Sequence, residues 1–199
     1  MITKDGCDYK KIRKDKCLNF MDNLRILVVG VSGSGKSTLA KKLSHDLGIP
    51  VLHLDRIWHS TNYDNEGTKF LIESQIGFIE KNPSFIIDGN YSGTMDVRIP
   101  HSNIIIWLKS SKWKSLFRVF TRSIKTKLGY LREDMAEEFK EKFDKEYLEF
   151  LKFIWNFEKN NVPKIEKNIA KRSDDCELFI IKNRQELDRL LTNLKVEVE

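Results

Sequence analysis

The sequence predicts an α/β fold built on a parallel five-stranded sheet with helices on both faces. Five short apolar runs are continuous rather than alternating, which is typical of strands buried on both faces. Segments with helical spacing separate most of these runs, and a glycine-rich turn follows the first. Alternation of buried strands with helices favours a parallel sheet whose ligands lie at the carboxyl ends of its strands.

Each element is assigned from its own residue pattern, in chain order. Arg25–Gly30 (RILVVG) is a β-branched run that ends at glycine, and the segment after the turn, Ser37–Leu47, carries apolar residues at helical spacing. The later elements repeat the same two patterns. They are strand Pro50–Leu54, helix Gly67–Lys81, strand Ser84–Ile87, strand Asn103–Leu108, helices Lys112–Lys127 and Glu137–Asn160, strand Glu177–Ile181 and helix Arg184–Leu194.

The turn after the first strand matches the phosphate-binding pattern G-x-x-x-x-G-K-[ST]. Glycines let such a loop wrap a phosphate and turn its N–H groups inward, where the following helix adds positive charge. Lys36 is expected to reach the β- and γ-phosphates, and the Ser37 hydroxyl to ligate Mg²⁺. The pattern therefore predicts a P-loop NTPase fold that binds ATP and Mg²⁺. The predicted nucleotide-binding residues are Gly30, Ser32, Gly33, Ser34, Gly35, Lys36, Ser37 and Thr38.

Two carboxylates follow predicted strands and are expected at the same edge of the sheet as the P-loop. Asp88 is the candidate for the magnesium shell, through water, because P-loop enzymes use a strand-terminal aspartate in that role. Asp55 is then the candidate that orients or deprotonates an acceptor hydroxyl. Either aspartate could instead cap a following helix or turn, and the two roles could be exchanged.

A basic run covers residues 109–132 and contains eight lysines and arginines without an acidic residue. Arg118 and Arg122 lie one helical turn apart, and Arg132 follows a predicted bend at Gly129. Such arginines can neutralise charge on a transferring phosphoryl group, so a catalytic lid is predicted at about residues 118–137. A solvated basic helix and a contact surface for the nucleic-acid backbone are the alternatives.

Composition limits the cellular setting and the number of domains. The chain of 199 residues suits one domain, predicted at 21–199, after an extension at 1–20 that we expect to be disordered. The longest apolar runs are too short to span a bilayer. Cys7, Cys17 and Cys176 have no metal-site spacing, which favours reduced thiols. We therefore expect a cytoplasmic protein without a membrane partner; its oligomeric state is left open.

Several blocks together resemble the adenylate-kinase-like P-loop proteins known as topology modulation proteins. The resemblance covers most of residues 24–195. The blocks are Gly30–Lys41, His53–Asp55, Ile86–Tyr91 with Arg98 downstream, Arg132–Glu137, Glu141–Asp144 and Phe153–Phe157.

The resemblance implies a nucleoside-monophosphate-kinase type of fold, ATP binding and kinase activity. By the same resemblance, Asp88 takes the magnesium side, Arg98 holds an anionic group of the acceptor, and Asn90 and Tyr91 line the acceptor pocket. The sequence departs from the pattern at Glu133, where a proline is expected, and at Asn103, where aspartate is common.

Two functions are consistent with these patterns. The first is an ATP-dependent kinase that transfers the γ-phosphoryl group to a small acceptor, with nucleotides and nucleosides among the candidates. The second is a nucleotide-dependent regulatory protein that contacts nucleic acid through the basic run, consistent with a net charge of +6. A GTPase is disfavoured because the sequence has no N-K-x-D run and its one D-x-x-G match, Asp64–Gly67, lies in a polar loop. The kinase is the preferred prediction.

Overall fold

The structure is a computed structural model that describes residues 23–127 and 145–196. The extension predicted at 1–20, the second half of the predicted lid and Arg132 lie outside the described residues. None of the helices within the described ranges is long and apolar enough to cross a membrane.

The predicted sheet is confirmed, with small changes at the strand ends. Its strands are β1 Arg25–Gly30, β2 Val51–His53, β3 Phe85–Asp88, β4 Ile104–Leu108 and β5 Glu177–Ile181. All five run parallel in the order β2-β3-β1-β4-β5, so β1, the strand that precedes the P-loop, is central.

In chain order the helices of the described residues are α1 Lys36–Leu47, α2 Leu54–Trp58, α3 Asn65–Lys81, α4 Met95–Arg98, α5 Lys112–Lys127, α6 Lys145–Asn160, α7 Val162–Ile169 and α8 Arg184–Val196. Three of them, the short helices α2, α4 and α7, were not indicated by the sequence patterns. Single 3₁₀ turns at Ser92–Thr94 and Ile99–His101 flank α4.

Local chemistry explains where several of these helices begin. α3 starts earlier than predicted because the Asp64 carboxylate accepts a hydrogen bond of 2.7 Å from the N–H of Gly67, which caps its N-terminus. α7 has Pro163 in its first turn, where the missing N–H has no cost. The helix predicted at residues 137–160 is described from residue 145 onward, as α6. Residues 137–144 lie outside the described ranges.

Helices cover both faces of the sheet, as predicted. Ile26 and Val28 of β1 point to one face, and Leu27 and Val29 to the other, and all four are at most 2% exposed. The first face packs against α1 and α8, and the second against α3, α5, α6 and α7. Both sets of side chains are apolar, so β1 contributes to the core on both faces of the sheet.

Candidate active site

Two glycines of the P-loop are required by close approach of other backbone segments. A Cβ on Gly30 would lie 2.5 Å from the carbonyl oxygen of Leu108 at the end of β4. A Cβ on Gly33, whose φ is +80°, would lie 2.5 Å from the carbonyl oxygen of Ser115 in α5. The loop is therefore packed between the sheet edge and the first turn of α5.

Gly35 is different, because no other part of the described chain approaches it closely. It is the N-cap of α1 at φ +102°, and a Cβ built on it would meet no described atom within 4 Å. The first turn of α1 has no side-chain cap and no acidic residue. Its N–H groups, which no helix can satisfy internally, therefore face an open cradle of the kind that accepts a phosphate.

The side chains of the P-loop also have spare hydrogen-bonding capacity. Lys36 is 7% exposed, and its ammonium donates to the Val31 carbonyl at 3.3 Å. Within the described residues no carboxylate lies within ion-pair distance of it. The Ser34 hydroxyl is buried and has no hydrogen-bond partner among the described residues. In the first turn of α1, Ser37 is half-buried and Thr38 is exposed. These residues fit the triphosphate of ATP.

Asp88 ends β3 beside the P-loop strand and is 3% exposed. Its Oδ2 lies 2.9 Å from Nδ1 of His53, and its Oδ1 is buried and has no hydrogen-bond partner within residues 23–127 and 145–196. An unpartnered carboxylate oxygen beside a phosphate cradle fits water in the shell of a magnesium ion. His53 has no predicted role of its own, yet it and Asp88 are register partners at the ends of neighbouring strands. Knowledge of the strand order would have paired them.

Asp55 follows β2, as predicted, and lies in the short helix α2 that begins there. It is half-buried, and its Oδ1 accepts a hydrogen bond of 2.8 Å from the Tyr91 hydroxyl. Burial raises the pKa of Tyr91, and the charge of Asp55 raises it further. Tyr91 therefore stays protonated and serves as a donor that orients the carboxylate.

Arg98 lies inside the fold and is fully buried. Its Nη1 donates to Gln75 Oε1 at 2.8 Å and to the carbonyl and hydroxyl of Thr94, both at 3.1 Å. Its Nη2 donates to the carbonyls of Gly89 and Asn90 at 3.3 and 3.1 Å. Desolvation lowers its pKa to about 9. In this structure Arg98 fixes the loop after β3, and binding of an acceptor anion by it stays a prediction.

The lid arginines are described in part. Arg118 is exposed on α5, and its Nη1 lies 3.3 Å from the Gly33 carbonyl and 3.2 Å from the Ser34 carbonyl. Arg122 is half-buried one turn further along α5. Arg118 therefore lies against the P-loop.

A set of aromatic side chains beside Asp55 was not anticipated from the sequence. The ring centroid of Trp58 lies 5.9 Å from that of Tyr91 and 5.7 Å from that of Tyr63. We call these three rings the aromatic row. Trp58 and Tyr63 stand near Asp55 in the sequence, but only the fold brings Tyr91 to them.

Comparison with known proteins identifies the fold. No family model matches the sequence, and no curated protein matches it. Shikimate kinase from Acinetobacter baumannii is 15% identical with a TM-score of 0.51, covering 90% of this chain and 99% of that one. Deoxyadenosine kinase from M. mycoides is 14% identical with a TM-score of 0.51, covering 86% and 98%. Shikimate kinase from Bacteroides thetaiotaomicron is 16% identical with a TM-score of 0.50, covering 87% and 96%.

At these identities the likeness establishes the fold alone. The fold is that of the P-loop kinases of the nucleoside-monophosphate-kinase type, as predicted. The resemblance to topology modulation proteins is not confirmed.

Proposed function

We propose that this protein is an ATP-dependent phosphotransferase that moves the γ-phosphoryl group of ATP to a hydroxyl of a small acceptor, with nucleosides and nucleotides among the candidates. The observation that carries the proposal is the open P-loop cradle, where Lys36 and the first turn of α1 face no anion of the described protein. Two carboxylates, Asp55 and Asp88, lie on the neighbouring strand-end segments.

Nucleotide binding uses the P-loop and its neighbours. The N–H groups of residues 33–38 bind the phosphates, and Lys36 moves its ammonium from the Val31 carbonyl to phosphate oxygens. Ser37 and the free oxygen of Asp88, the latter through water, are suited to hold Mg²⁺, which neutralises charge on the β- and γ-phosphates. His53 holds the Asp88 carboxylate in one orientation.

Transfer places the acceptor at Asp55. The acceptor oxygen forms a bond to the γ-phosphorus, the bond from that phosphorus to the β–γ bridging oxygen breaks, and ADP leaves with that oxygen. The proton of the acceptor hydroxyl passes to the Asp55 carboxylate, which Tyr91 orients. Arg118 stabilises the charge on the transferring group from its position at the loop. The His53 contact of Asp88 supports this division of roles between the aspartates.

The first test is transfer from labelled ATP·Mg²⁺ to a panel of nucleosides, nucleoside monophosphates and small hydroxylated metabolites. Lys36→Ala should lower the rate of transfer by a factor of about 10² to 10³, because a charge aimed at the transferring phosphate is lost. The matched control is Lys42→Ala, since Lys42 is an exposed lysine on the same helix that forms an ion pair of 2.8 Å with Asp46. Equal rates for Lys36→Ala and the wild type would contradict the proposal.

The second test addresses the proposed base. Asp55→Asn should leave ATP affinity unchanged and lower the rate of transfer by about 10² to 10⁴, the range of general-base catalysis. Rates are measured at saturating acceptor, and ATP affinity by titration calorimetry. Asp174→Asn, at an exposed position before β5, is the control. If Asp55→Asn turns over like this control, Asp55 is not the base.

One observation favours a second candidate, nucleic-acid binding. On α5 the side chains of Trp113 and Phe117 are 65% and 72% exposed beside Lys112 and Lys114. Exposed aromatic rings among basic residues are typical of surfaces that bind single-stranded nucleic acid. ATP binding without transfer to any acceptor, together with oligonucleotide binding that weakens steeply with salt, would favour this candidate.

A further inference from the structure

The aromatic row leads from the proposed base to the protein surface. Tyr91 begins the row, and its hydroxyl is bonded to Asp55 at 2.8 Å. Trp58 is half-buried in the middle, in edge contact with both neighbours. Tyr63 ends the row and is 53% exposed. An acceptor whose hydroxyl lies at Asp55 would therefore have aromatic surface along its remaining length.

Tyr63 is held in a conformation that packing alone does not explain. Its φ is +60°, in the left-handed region that bulky residues avoid at a cost of about 1 kcal/mol or more. The ring is positioned by its contact with Trp58 and by a hydrogen bond of 2.9 Å between its hydroxyl and His59 Nδ1. Half of its surface stays in water, so burial does not offset the strain. Strain of this kind is concentrated at ligand clamps.

Charges of both signs surround the row. Aromatic faces attract flat rings and also cations. Asp55 and Asp88 act on Tyr91, and Glu146 acts on Tyr63. Arg98 is buried directly behind the loop and donates to the carbonyl next to Tyr91. A neutral flat ring is compatible with charges of both signs, whereas the guanidinium opposes an ammonium group.

Asn90, which precedes Tyr91 in the chain, has an unsatisfied polar group. Its Oδ1 is buried and has no hydrogen-bond partner among the described residues. A buried acceptor of this kind is costly unless a ligand donates to it. The ring N–H and amino groups of a nucleobase are such donors.

We infer that the acceptor is a nucleoside or nucleotide whose base stacks on the aromatic row while its hydroxyl lies at Asp55. This inference rests on the proposed function for the placement of the hydroxyl. The stacking surface itself stands on the positions of Trp58, Tyr63 and Tyr91.

The experiment measures binding rather than transfer. Titration calorimetry compares adenosine, cytidine and their 5′-monophosphates with two alicyclic polyols, myo-inositol and shikimate, on the full chain saturated with ADP·Mg²⁺ so that the ATP site is filled. Nucleosides or nucleotides should bind saturably and the polyols much more weakly. Tyr63→Leu should weaken nucleoside binding about tenfold, as loss of one stacking ring does. Tyr63→Trp should retain it.

Phe70→Leu is the matched control, because Phe70 is 52% exposed on α3 and is not part of the row. It should bind the probes as the wild type does, and thermal unfolding should show all variants folded. The inference is overturned if no nucleoside or nucleotide binds saturably, if the polyols bind as tightly, or if Tyr63→Leu binds like Phe70→Leu.

The two proposals fail in different ways. Lys36→Ala should lower the rate of transfer by a factor of about 10² to 10³. At ADP·Mg²⁺ concentrations that still saturate this variant, nucleoside binding should be retained. Nucleoside binding that depends on Tyr63, in a wild type that transfers phosphate to nothing, would keep the stacking site and reject the kinase. Transfer to an acceptor without an aromatic base would keep the kinase and reject the stacking site.

Discussion

At the scale of single residues, the most constrained side chain is Arg98. A buried guanidinium is costly unless it is hydrogen-bonded, and its two Nη atoms donate to the amide oxygen of Gln75, the hydroxyl of Thr94 and three carbonyls. Its Nε has no partner among the described residues. Two of those carbonyls belong to Gly89 and Asn90, between Asp88 and Tyr91. One side chain therefore sets the path of the loop that joins the proposed magnesium and acceptor sites.

Arg98→Met should be strongly destabilising, because the methionine keeps part of the volume but leaves the Gln75 amide and the loop carbonyls unpaired. We expect the free energy of unfolding to fall by about 3 kcal/mol, measured by urea denaturation. Arg56→Met, at an exposed position on α2, should change it by less than about 0.5 kcal/mol. A similar small change for Arg98→Met would show that the network contributes little to stability.

At the scale of elements, α5 and the P-loop form one packed unit. Gly33 approaches the Ser115 carbonyl so closely that no side chain fits between them, and Arg118 bonds to the Gly33 carbonyl. A change in the position of α5 must therefore change the shape of the phosphate cradle.

Gly33→Ala should disrupt the packing of the P-loop against α5. The added methyl group meets backbone at 2.5 Å in a residue with φ of +80°, so we expect a loss of about 1–3 kcal/mol in the free energy of unfolding and weaker ATP binding. Gly77→Ala is the control, since a Cβ there meets nothing within 4 Å in the middle of α3, and helix propensity should stabilise it slightly. Unchanged ATP affinity in Gly33→Ala would refute the coupling.

The sequence predicts elements and contacts unequally well. The strands were predictable because β1 and β4 are buried on both faces and so read as continuous apolar runs. The short helix α2 was not, since its five residues depend on packing of Leu54 rather than on a repeated pattern. Asp55 therefore follows β2, as predicted, but the helix that contains it was not predicted.

Within the candidate site the same distinction holds. The P-loop is local, so the spacing of its glycines and Lys36 is visible in eight consecutive residues. The contacts of His53 with Asp88, and of Tyr91 with Asp55, join residues about 35 positions apart. No local pattern encodes these contacts, because they follow from the order of the strands.

At the scale of the whole molecule, the parallel sheet brings the proposed site together. Every strand points the same way, so the residues after β1, β2 and β3 meet at one edge. The two outer strands, β2 and β5, are only half-buried over most of their length, whereas β1 is sealed by neighbours on both sides. The cradle is therefore attached to the best-protected strand of the described fold.

The central place of β1 also has a consequence for synthesis on the ribosome. β1 ends at Gly30, but its neighbours begin at Phe85 and Ile104. At roughly 5–20 residues per second, the nascent chain carries this apolar strand for several seconds before either partner has been made. Through that interval both of its edges are open to pairing with other chains. Among the strands of the described fold, β1 is the central one in the finished protein and waits longest for a partner during synthesis. We therefore expect molecular chaperones to act on this strand first.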